Sequence, residues 1–425
     1  MQMDLIGETL FYRQFDNGLK AYVLPKKNYN KVYAVYSTRY GSIDSEFVVP
    51  GTGERLKVPE GIAHFLEHKM FEMSYGNVFD KFAELGTSSN AYTNYTNTTY
   101  LFSTTTAFEE SLRLLLEFVE TPYFTEDSVE KEKGIITQEL RMYEDDPEWQ
   151  VLLNLLKALY HRHPVREDIG GTVESIQKID VDTLYKCYNT FYHPSNMVLF
   201  VTGAVEPEKV FDLIMEHEKN KELAPQDEIM RIYPEEPDTI YKHQVETKLS
   251  VSQPIFLMGF KDTEVGYDGE ELLKKEITTS LLLEVLFGRS SVVYERLYEE
   301  GLIDDRFSFS YEGQKDYGFC TIGGETKDPV KLRDELVKSI SEVKEKGLSR
   351  EDFERVKKKY LGDFIQGFNS LEFIANSFVS YYHRNINIFD YPRFLKQVTF
   401  EEASRRLYSF FDFNRMAVST VYPKN

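Results

Sequence analysis

At the beginning of the chain, apolar and aromatic stretches are separated by polar, turn-forming residues, which is a pattern typical of β-strands. Two or three strands are predicted between Leu10 and Asp44, with a turn at Asp16 to Gly18, because Asn-Gly pairs favour tight hairpins. Further strands are predicted from Asn90 to Thr104, which is rich in tyrosine and threonine, and from Met197 to Thr202.

Apolar residues spaced three and four apart predict helices between these strands. Thr125 is a suitable N-cap for one of them, since its hydroxyl can accept a hydrogen bond from a backbone N–H of the first turn. The helices predicted in the first half are 59–71, 108–119, 125–143, 152–160 and 181–190.

The segment 218–238 is charged, contains three prolines and has no steady periodicity, so we interpret it as a connector. The division predicted is a first domain at 1–222, a linker at 223–240 and a second domain at 241–425. Beyond the linker the pattern starts again, with strands predicted at 255–260 and 307–321 and helices at 270–287, 330–344, 350–364 and 371–383.

Short similarities between the two halves indicate an internal duplication. The stretch 184–198 is similar to 407–417, with Leu-Tyr, Phe and Asn at matching places. The stretch 125–130 is likewise similar to 349–354. The matches are short, but they lie at the same relative places in each half, so a duplicated fold explains them economically.

The composition is that of a globular protein without a membrane anchor. A length of 425 residues suits two domains of roughly 200 residues each. No apolar run reaches the ~20 residues that cross a bilayer, and residues 1–15 lack a secretory signal. The only cysteines, Cys187 and Cys320, exclude a disulfide framework, so a cytoplasmic location is expected. A net charge of −20 disfavours nucleic-acid binding.

The candidate chemistry lies at His64 and His68. If Gly61 to Phe71 is helical, both histidines fall on one side with Glu67 beside them, and the apolar residues face a core. Two imidazoles one turn apart can bind one Zn²⁺, and a carboxylate that does not bind the ion can take a proton from the metal-bound water. A surface helix with a chance glutamate is the alternative. The order His-x-x-Glu-His, which uses two of only eight histidines, favours the metal.

A catalytic zinc needs a third protein ligand and an open position. The predicted helix 125–143 offers Glu132 and Glu139, which lie two turns apart along one edge of its apolar stripe. Carboxylates beside a buried face repel each other unless a cation compensates. For Glu132 a solvated position at the border of the apolar stripe is an equally good explanation. For Glu139, binding of the metal gives a specific reason for a carboxylate at this position.

The His64-x-x-Glu67-His68 motif followed by Glu139 resembles the pitrilysin/insulysin-type zinc metallopeptidases, an inverzincin family. The similarity is to half-shell subunits of the mitochondrial processing peptidase type and of the bacterial YmfH type. It runs through 163–176 and 192–196 in the first half and is weaker in the second half. The resemblance implies that His64, His68 and Glu139 bind one Zn²⁺ per chain, that Glu67 is the general base, and that Glu132 orients the site.

The resemblance also implies a substrate-binding strand. Asn90, Ala91, Tyr92 and Thr93 are similar to the family's edge strand, to which a bound peptide adds as a further strand. An unpaired strand edge offers sequence-tolerant main-chain hydrogen bonds, which suits this role. An ordinary strand inside a sheet is the alternative interpretation.

The second half departs from the family pattern. Family members carry an arginine and, further on, a tyrosine that assist the substrate carbonyl. Here Tyr298 and Asp304 stand at those positions, although Arg296 or Arg306 could serve. Because stabilisation of the oxyanion is a large part of acyl-transfer catalysis, we expect a related second subunit to supply the pair. The second half also has no His-x-x-Glu-His, and its counterpart at 283–289 is apolar.

The sequence therefore predicts an α+β protein of two related α/β domains, each a mainly antiparallel sheet with helices packed on one face, forming half of a clamshell. The sheet topology follows from the resemblance. The predicted function is that of a zinc-dependent endopeptidase subunit that hydrolyses extended or unfolded peptides inside a two-subunit chamber, a homodimer or a heterodimer. A non-catalytic peptide-binding or scaffold subunit is the main alternative. A zinc hydrolase for non-peptide amides is disfavoured by the strand-like segment 90–93.

Overall fold

A computed structural model describes residues 2–3, 7–219, 221 and 223–424. The predicted end of the first domain, residue 222, lies outside the described residues. The strands β1 to β18 are, in order, Gln2–Met3, Glu8–Thr9, Phe11–Gln14, Lys20–Pro25, Val32–Thr38, Glu46–Val48, Arg55–Lys57, Glu72–Met73, Gly76–Asn77, Ser88–Thr93, Thr98–Thr104, Met197–Gly203, Met230–Arg231, Gln244–Leu249, Ile255–Lys261, Ser308–Gly313, Gly318–Glu325 and Met416–Pro423.

The helices α1 to α15 lie between these strands. They are, in order, Ile62–Met70, Val78–Glu84, Phe108–Glu120, Glu126–Glu144, Pro147–Leu159, Val173–Ile176, Val181–Phe191, Pro207–Glu218, Gly269–Phe287, Val292–Glu299, Pro329–Lys346, Arg350–Gly367, Leu371–Tyr382, Tyr391–Gln397 and Phe400–Phe410. The helices α3 to α7 and α11 to α15 each follow one another without an intervening strand. In the described part of the chain no single helix is long and apolar enough to span a membrane. The helices α9 and α10, which are bent relative to each other, meet both criteria only when they are counted as one segment.

The chain forms two compact units, and each is discontinuous in sequence. The first unit consists of Met1–Leu140, Asp168–Tyr233 and Gly367–His383, and the second consists of Arg141–Glu167, Pro234–Gln366 and Arg384–Asn425. The predicted domains are continuous in sequence and therefore differ from these units. The helix α5 is predicted in the first domain but belongs to the second unit, and α13 is predicted in the second domain but belongs to the first unit. One crossing between the units, from Tyr233 to Pro234, falls inside the predicted linker at 223–240.

The first unit is built on a six-stranded sheet with the order β10-β11-β5-β12-β4-β3. All of its pairs are antiparallel except β12 with β4. The helices α1, α3 and α8 contact one face of this sheet and α13 contacts the other. Every residue of β5 is buried in consequence, which explains its nearly continuous apolar sequence. Each large apolar side chain buried in this way stabilises the fold by about 1.5–3 kcal/mol.

The second unit repeats this plan with a five-stranded sheet in the order β14-β18-β15-β17-β16. The strands β18 and β14 are parallel, as β12 and β4 are, and the other pairs are antiparallel. Both units contain a helix that is followed by a 3₁₀ turn and then by a central strand. The helix and strand are α7 and β12 in the first unit and α15 and β18 in the second. The predicted α+β class with two related domains is confirmed.

One predicted strand is corrected by the structure. The segment predicted as a strand from Asn90 to Thr104 forms two strands, β10 and β11, joined by a turn at 94–97. The side-chain oxygen of Asn94 accepts hydrogen bonds from the N–H groups of Thr96 and Asn97, both at 2.8 Å. The turn was hidden in the sequence because it contains no glycine or proline and is flanked by residues that favour strands.

Candidate metal centre

The helix α1 carries the motif, and its two sides differ as predicted. Phe65 and Leu66 are fully buried in the core of the first unit, while His64 and His68 lie on the opposite side. Gly61 precedes the helix with a φ of 84°. A Cβ on Gly61 would lie 2.2 Å from the carbonyl oxygen of Gly170. Only glycine therefore permits this close approach of two backbones at the start of the helix.

Folding brings Glu139 of α4 against the two histidines of α1. His64 Nε2 lies 3.8 Å from Glu139 Oε1, and His68 Nε2 lies 3.5 Å from Glu139 Oε2. One potential ligand atom from each of the three residues lies within 4.8 Å of the others. Ligand atoms at about 2.05 Å from a tetrahedral zinc ion are about 3.4 Å apart, so the spacing and the donor set fit Zn²⁺.

Glu132 lies one layer behind the potential ligands. Its Oε1 is 3.0 Å from Nδ1 of His68, and its side chain is 12% exposed. This contact holds the Nδ1 proton and leaves Nε2 of His68 facing Glu139. A carboxylate that binds the second nitrogen of a histidine in this way fixes the ring orientation of many metal-binding histidines.

The surroundings adjust the protonation of the site. Burial, followed by the charge of His68, lowers the pKa of His64 to about 3, so its imidazole is neutral, which is the metal-binding form. Burial lowers the pKa of His68, but the nearby carboxylates of Glu132, Glu67 and Glu139 have the opposite and larger effect, so the pKa of His68 is raised. Burial raises the pKa of Glu67 to about 6, against the opposite effect of a hydrogen bond from Thr93.

The strand β10 lies at the edge of the sheet beside this site. Among the described residues it pairs with β11 alone. On one face the Thr93 hydroxyl donates a 2.6 Å hydrogen bond to Glu67 Oε2. On the other face the Tyr92 hydroxyl donates to Asn376 Oδ1 at 3.1 Å. Asn90 and Ala91 lie on the same strand, and the Asn90 side-chain oxygen accepts a bond from the Ala91 N–H.

Sequence reasoning missed three contacts of this site. The sequence predicts Thr93 as a substrate-binding residue of the edge strand, but its contact with Glu67 has no local signal. Asn376 comes from the far end of the chain. A Cβ on Gly170 would lie 3.7 Å from Nδ1 of His64, so the loop at 168–172 also packs closely on the histidine. The glycine pair at 170–171 was the only available hint of this packing.

A second group of possible ligand residues occurs in the described part of the first unit. It consists of Glu120, His217 and Glu218 at the carboxyl ends of α3 and α8. The ammonium of Lys221 contacts Glu120 and lies 3.3 Å from Glu218 Oε1. Because the lysine already supplies the positive charge, this group is complete without a metal.

The residues predicted to replace the family's arginine and tyrosine lie in the second unit. Tyr298 is 53% exposed on α10. Arg306 pairs with Asp304 at 2.5 Å and also with Glu325. Arg296 binds the Ser339 hydroxyl at 2.8 Å and lies 3.3 Å from Glu335. Both guanidinium groups are thus engaged inside their own unit.

Two family models match the chain. The model described as "Insulinase (Peptidase family M16)" matches residues 49–173, and the one described as "Peptidase M16 inactive domain" matches residues 178–360. The uncharacterized zinc protease YmfH of Bacillus subtilis is 44% identical over 100% of this chain and 99% of its own length.

Solved structures agree with these matches. The chain superposes on a crystal structure of a putative M16-like peptidase from Alicyclobacillus acidocaldarius with a TM-score of 0.95 and 37% identity, covering 98% of this chain and 99% of that one. The periplasmic protease PqqL from Escherichia coli has the same fold in part of its length. That match has a TM-score of 0.74 and 18% identity, and it covers 97% of this chain and 47% of PqqL.

Proposed function

This chain belongs to peptidase family M16, the insulinase family, and we propose that it is a zinc-dependent endopeptidase subunit that hydrolyses extended or unfolded peptides. The observation that carries the proposal is the convergence of His64 Nε2, His68 Nε2 and the Glu139 carboxylate, with Glu67 beside them. Names of relatives as zinc proteases support the same class.

Each residue of the site has a role in this proposal. His64, His68 and Glu139 hold the metal, and Glu132 keeps the His68 ring in place through Nδ1. When bound there, Zn²⁺ supplies Lewis-acid polarisation of the scissile carbonyl and makes water more acidic. The partly buried carboxylates Glu132 and Glu139 offset the positive charge of the ion, which would otherwise be costly to remove from water.

Glu67 is the general base and then the general acid. Its Oε2 accepts the bond from Thr93, which leaves Oε1 to take a proton from the attacking water and to return it to the leaving nitrogen. Burial to 8% exposure raises the pKa of this carboxyl towards neutrality, which suits a group that both accepts and donates a proton near pH 7.

The peptide adds to the edge of β10 at Asn90, Ala91, Tyr92 and Thr93. Main-chain hydrogen bonds to a strand edge require an extended substrate but little of its sequence, so unfolded peptides of varied sequence are the expected substrates. The strand ends at Thr93, in contact with Glu67, which supports binding of the peptide on this edge next to the reacting groups.

A related second subunit is part of the proposal, as a homodimer or a heterodimer that encloses the peptide. Arg296 and Arg306 are engaged in ion pairs within their own unit, which supports a supply of the donors for the substrate carbonyl by another chain. The match to about half the length of PqqL is compatible with pairing of two such folds. A cytoplasmic location, which is expected from the low cysteine content, is part of the proposal.

Metal analysis and peptide cleavage by the full-length chain, with the partner isolated from its native host, test the function. Glu67→Gln keeps the zinc ligands, so it should retain about one zinc per chain and lower cleavage of an unstructured reporter peptide by about 100-fold or more. Glu117→Gln is the matched control, because it removes the same charge from an exposed position on α3. Equal cleavage by wild type and Glu67→Gln would refute the proposal.

A non-catalytic peptide-binding or scaffold subunit is the second candidate. The description of the matching second-half model as an inactive domain favours it. Such a subunit would bind the reporter peptide without cleaving it, and Glu67→Gln would change neither property. The comparison of Glu67→Gln with wild type therefore separates the two candidates.

A further inference from the structure

The hydroxyl of Thr93 is the only side-chain hydrogen-bond donor that the described residues place on the carboxylate of Glu67, at 2.6 Å from Oε2. A carboxylate accepts but does not donate, so the proton of this bond belongs to the threonine. The distance is that of a charge-assisted O–H···O⁻ bond, about 2.5–2.7 Å. The orientation of the Glu67 carboxylate therefore depends on a residue of the edge strand.

Thr93 is itself held in place by its neighbour across the β10–β11 pair. Thr93 and Thr98 are register partners, and their hydroxyl oxygens are 3.2 Å apart. The Thr98 hydroxyl donates its only proton to the carbonyl of Tyr40 at 2.9 Å, and the Thr93 hydroxyl gives its own to Glu67, so the two threonine oxygens pack against each other without a hydrogen bond between them. Thr98 is fully buried, which gives the threonine pair a rigid support.

The turn that follows Thr93 adds to this rigidity. The side chain of Asn94 closes the turn by accepting two hydrogen bonds from backbone N–H groups. Gly41 packs directly on the backbone of the turn. A Cβ on Gly41 would lie 2.3 Å from the carbonyl carbon of Tyr95 and from the N atom of Thr96. The end of β10 is thus tightly packed, and a packed support is what keeps a reacting group within a fraction of an ångström of its working position.

We propose that Thr93 is a positioning residue for the general base: its hydroxyl, supported by Thr98, holds the carboxylate of Glu67 in the orientation in which Oε1 reaches the reacting water. The inference rests on the proposed function. Positioning Glu67 uses the side chain of Thr93, whereas binding of a peptide to the strand edge uses its main chain. The two roles of Thr93 are therefore separate.

The test compares three variants with wild type as full-length, zinc-loaded protein, with the partner subunit from the host when wild type requires it. Thr93→Val removes the hydroxyl and keeps the shape, and Thr93→Ser restores the hydroxyl. Thr202→Val is the matched control, because Thr202 is a fully buried threonine of the same sheet whose hydroxyl bonds the Leu24 carbonyl at 2.9 Å. Zinc affinity, measured by competition with a chelator, is recorded beside kcat and KM.

The expected result is a fall in kcat of about 10- to 100-fold for Thr93→Val, with KM and zinc affinity within about threefold of wild type. Thr93→Ser should recover kcat to within about threefold, and Thr202→Val should match wild type. Unchanged kcat in Thr93→Val, equal loss in Thr93→Ser, or equal loss in Thr202→Val would overturn the role of Thr93. A wild type that cleaves no peptide would instead remove the proposed function, and the role of Thr93 with it.

Discussion

Glu132 contacts one of the proposed ligands without being one, so it acts on metal binding only through the orientation of the His68 ring. Its carboxylate is 3.0 Å from His68 Nδ1 and is largely buried. Loss of a carboxylate in this position typically costs about 10–100-fold in metal affinity, because the ligand ring loses its orientation. We expect Glu132→Ala to lower zinc affinity by that factor, as measured by chelator competition.

Glu130→Ala is the control for this change. Glu130 lies on the same helix, is 67% exposed and pairs with Lys133. Its loss should leave zinc affinity within about twofold, since its ion pair is with Lys133 and not with a proposed ligand. Equal affinities for wild type and Glu132→Ala would contradict the orienting role of Glu132.

His383 makes the stability of the first unit depend on pH. Burial lowers its pKa to about 3, and the nearby charges of Arg39 and Arg231 act in the same direction. Its Nε2 lies 2.9 Å from the Ser37 hydroxyl. The ring stays neutral in the folded chain, whereas in the unfolded chain it takes up a proton below about pH 6.5. Folding stability therefore falls as the pH falls below that value.

The prediction is a difference between wild type and His383→Gln, whose amide can still donate to Ser37. Between pH 7.5 and pH 5.5 the free energy of unfolding of wild type should fall by about 1.4 kcal/mol more than that of the variant. Urea titrations at both pH values measure this difference, and the other histidines cancel because both proteins contain them. The same pH dependence in both proteins would show that His383 is not kept neutral by the fold.

At the scale of elements, the position of α1 is set by a contact between two backbones. Gly61 has a φ of 84°, and a Cβ there would lie 2.2 Å from the Gly170 carbonyl oxygen. Gly61→Ala must therefore displace either the start of α1 or the loop at 168–172, both of which adjoin His64. We expect a lower melting temperature and a zinc content well below one per chain, measured by calorimetry and metal analysis.

Gly86→Ala separates backbone strain from this clash. Gly86 also has a positive φ, 66°, but a Cβ there meets nothing within 4 Å. The substitution should cost about 1–2 kcal/mol from the left-handed conformation alone and should leave zinc content unchanged. Full zinc content in Gly61→Ala would mean that the contact with Gly170 does not determine the site.

At the scale of the whole molecule, each compact unit takes one helix from the other half of the sequence. The helix α13 covers β5 and β12 in the first unit, where Phe378 stacks on Phe200 with ring centroids 4.3 Å apart. The helix α5 covers β15 and β18 in the second unit. One face of each sheet is therefore covered by a helix from the other half of the sequence, and not from the half that supplies the strands.

Fragments cut in the predicted linker should consequently fail to fold alone. A fragment ending at residue 240 lacks α13 and exposes apolar side chains of its central strands to water. We expect aggregation on size-exclusion chromatography and no cooperative melting. In the full chain, Phe378→Ala should cost about 3–5 kcal/mol, while Phe373→Ala, at 40% exposure on the same helix, should cost far less. A monomeric fragment that melts like the full chain would contradict this account.

The sequence predicted most helices closely, because their apolar spacing is a local property. The helix predicted at 350–364 forms from Arg350 to Gly367, and that predicted at 181–190 forms from Val181 to Phe191. The turn at 94–97 was missed because its signal is one asparagine side chain. Asn376 could not be found from the sequence, since nothing local to α13 indicates that it meets Tyr92 on a strand near residue 90.

The sequence by itself determined the relative placement of His64, Glu67 and His68, because residues four apart in a helix lie one turn above each other. It also indicated the class of chemistry that we propose, since only a few residue types bind zinc and move protons. Only the tertiary structure decided that Glu139 reaches both imidazoles, that Thr93 holds Glu67, and that α13 covers the first sheet. Those contacts join distant parts of the chain, and their geometry follows from how buried surfaces pack rather than from local propensity.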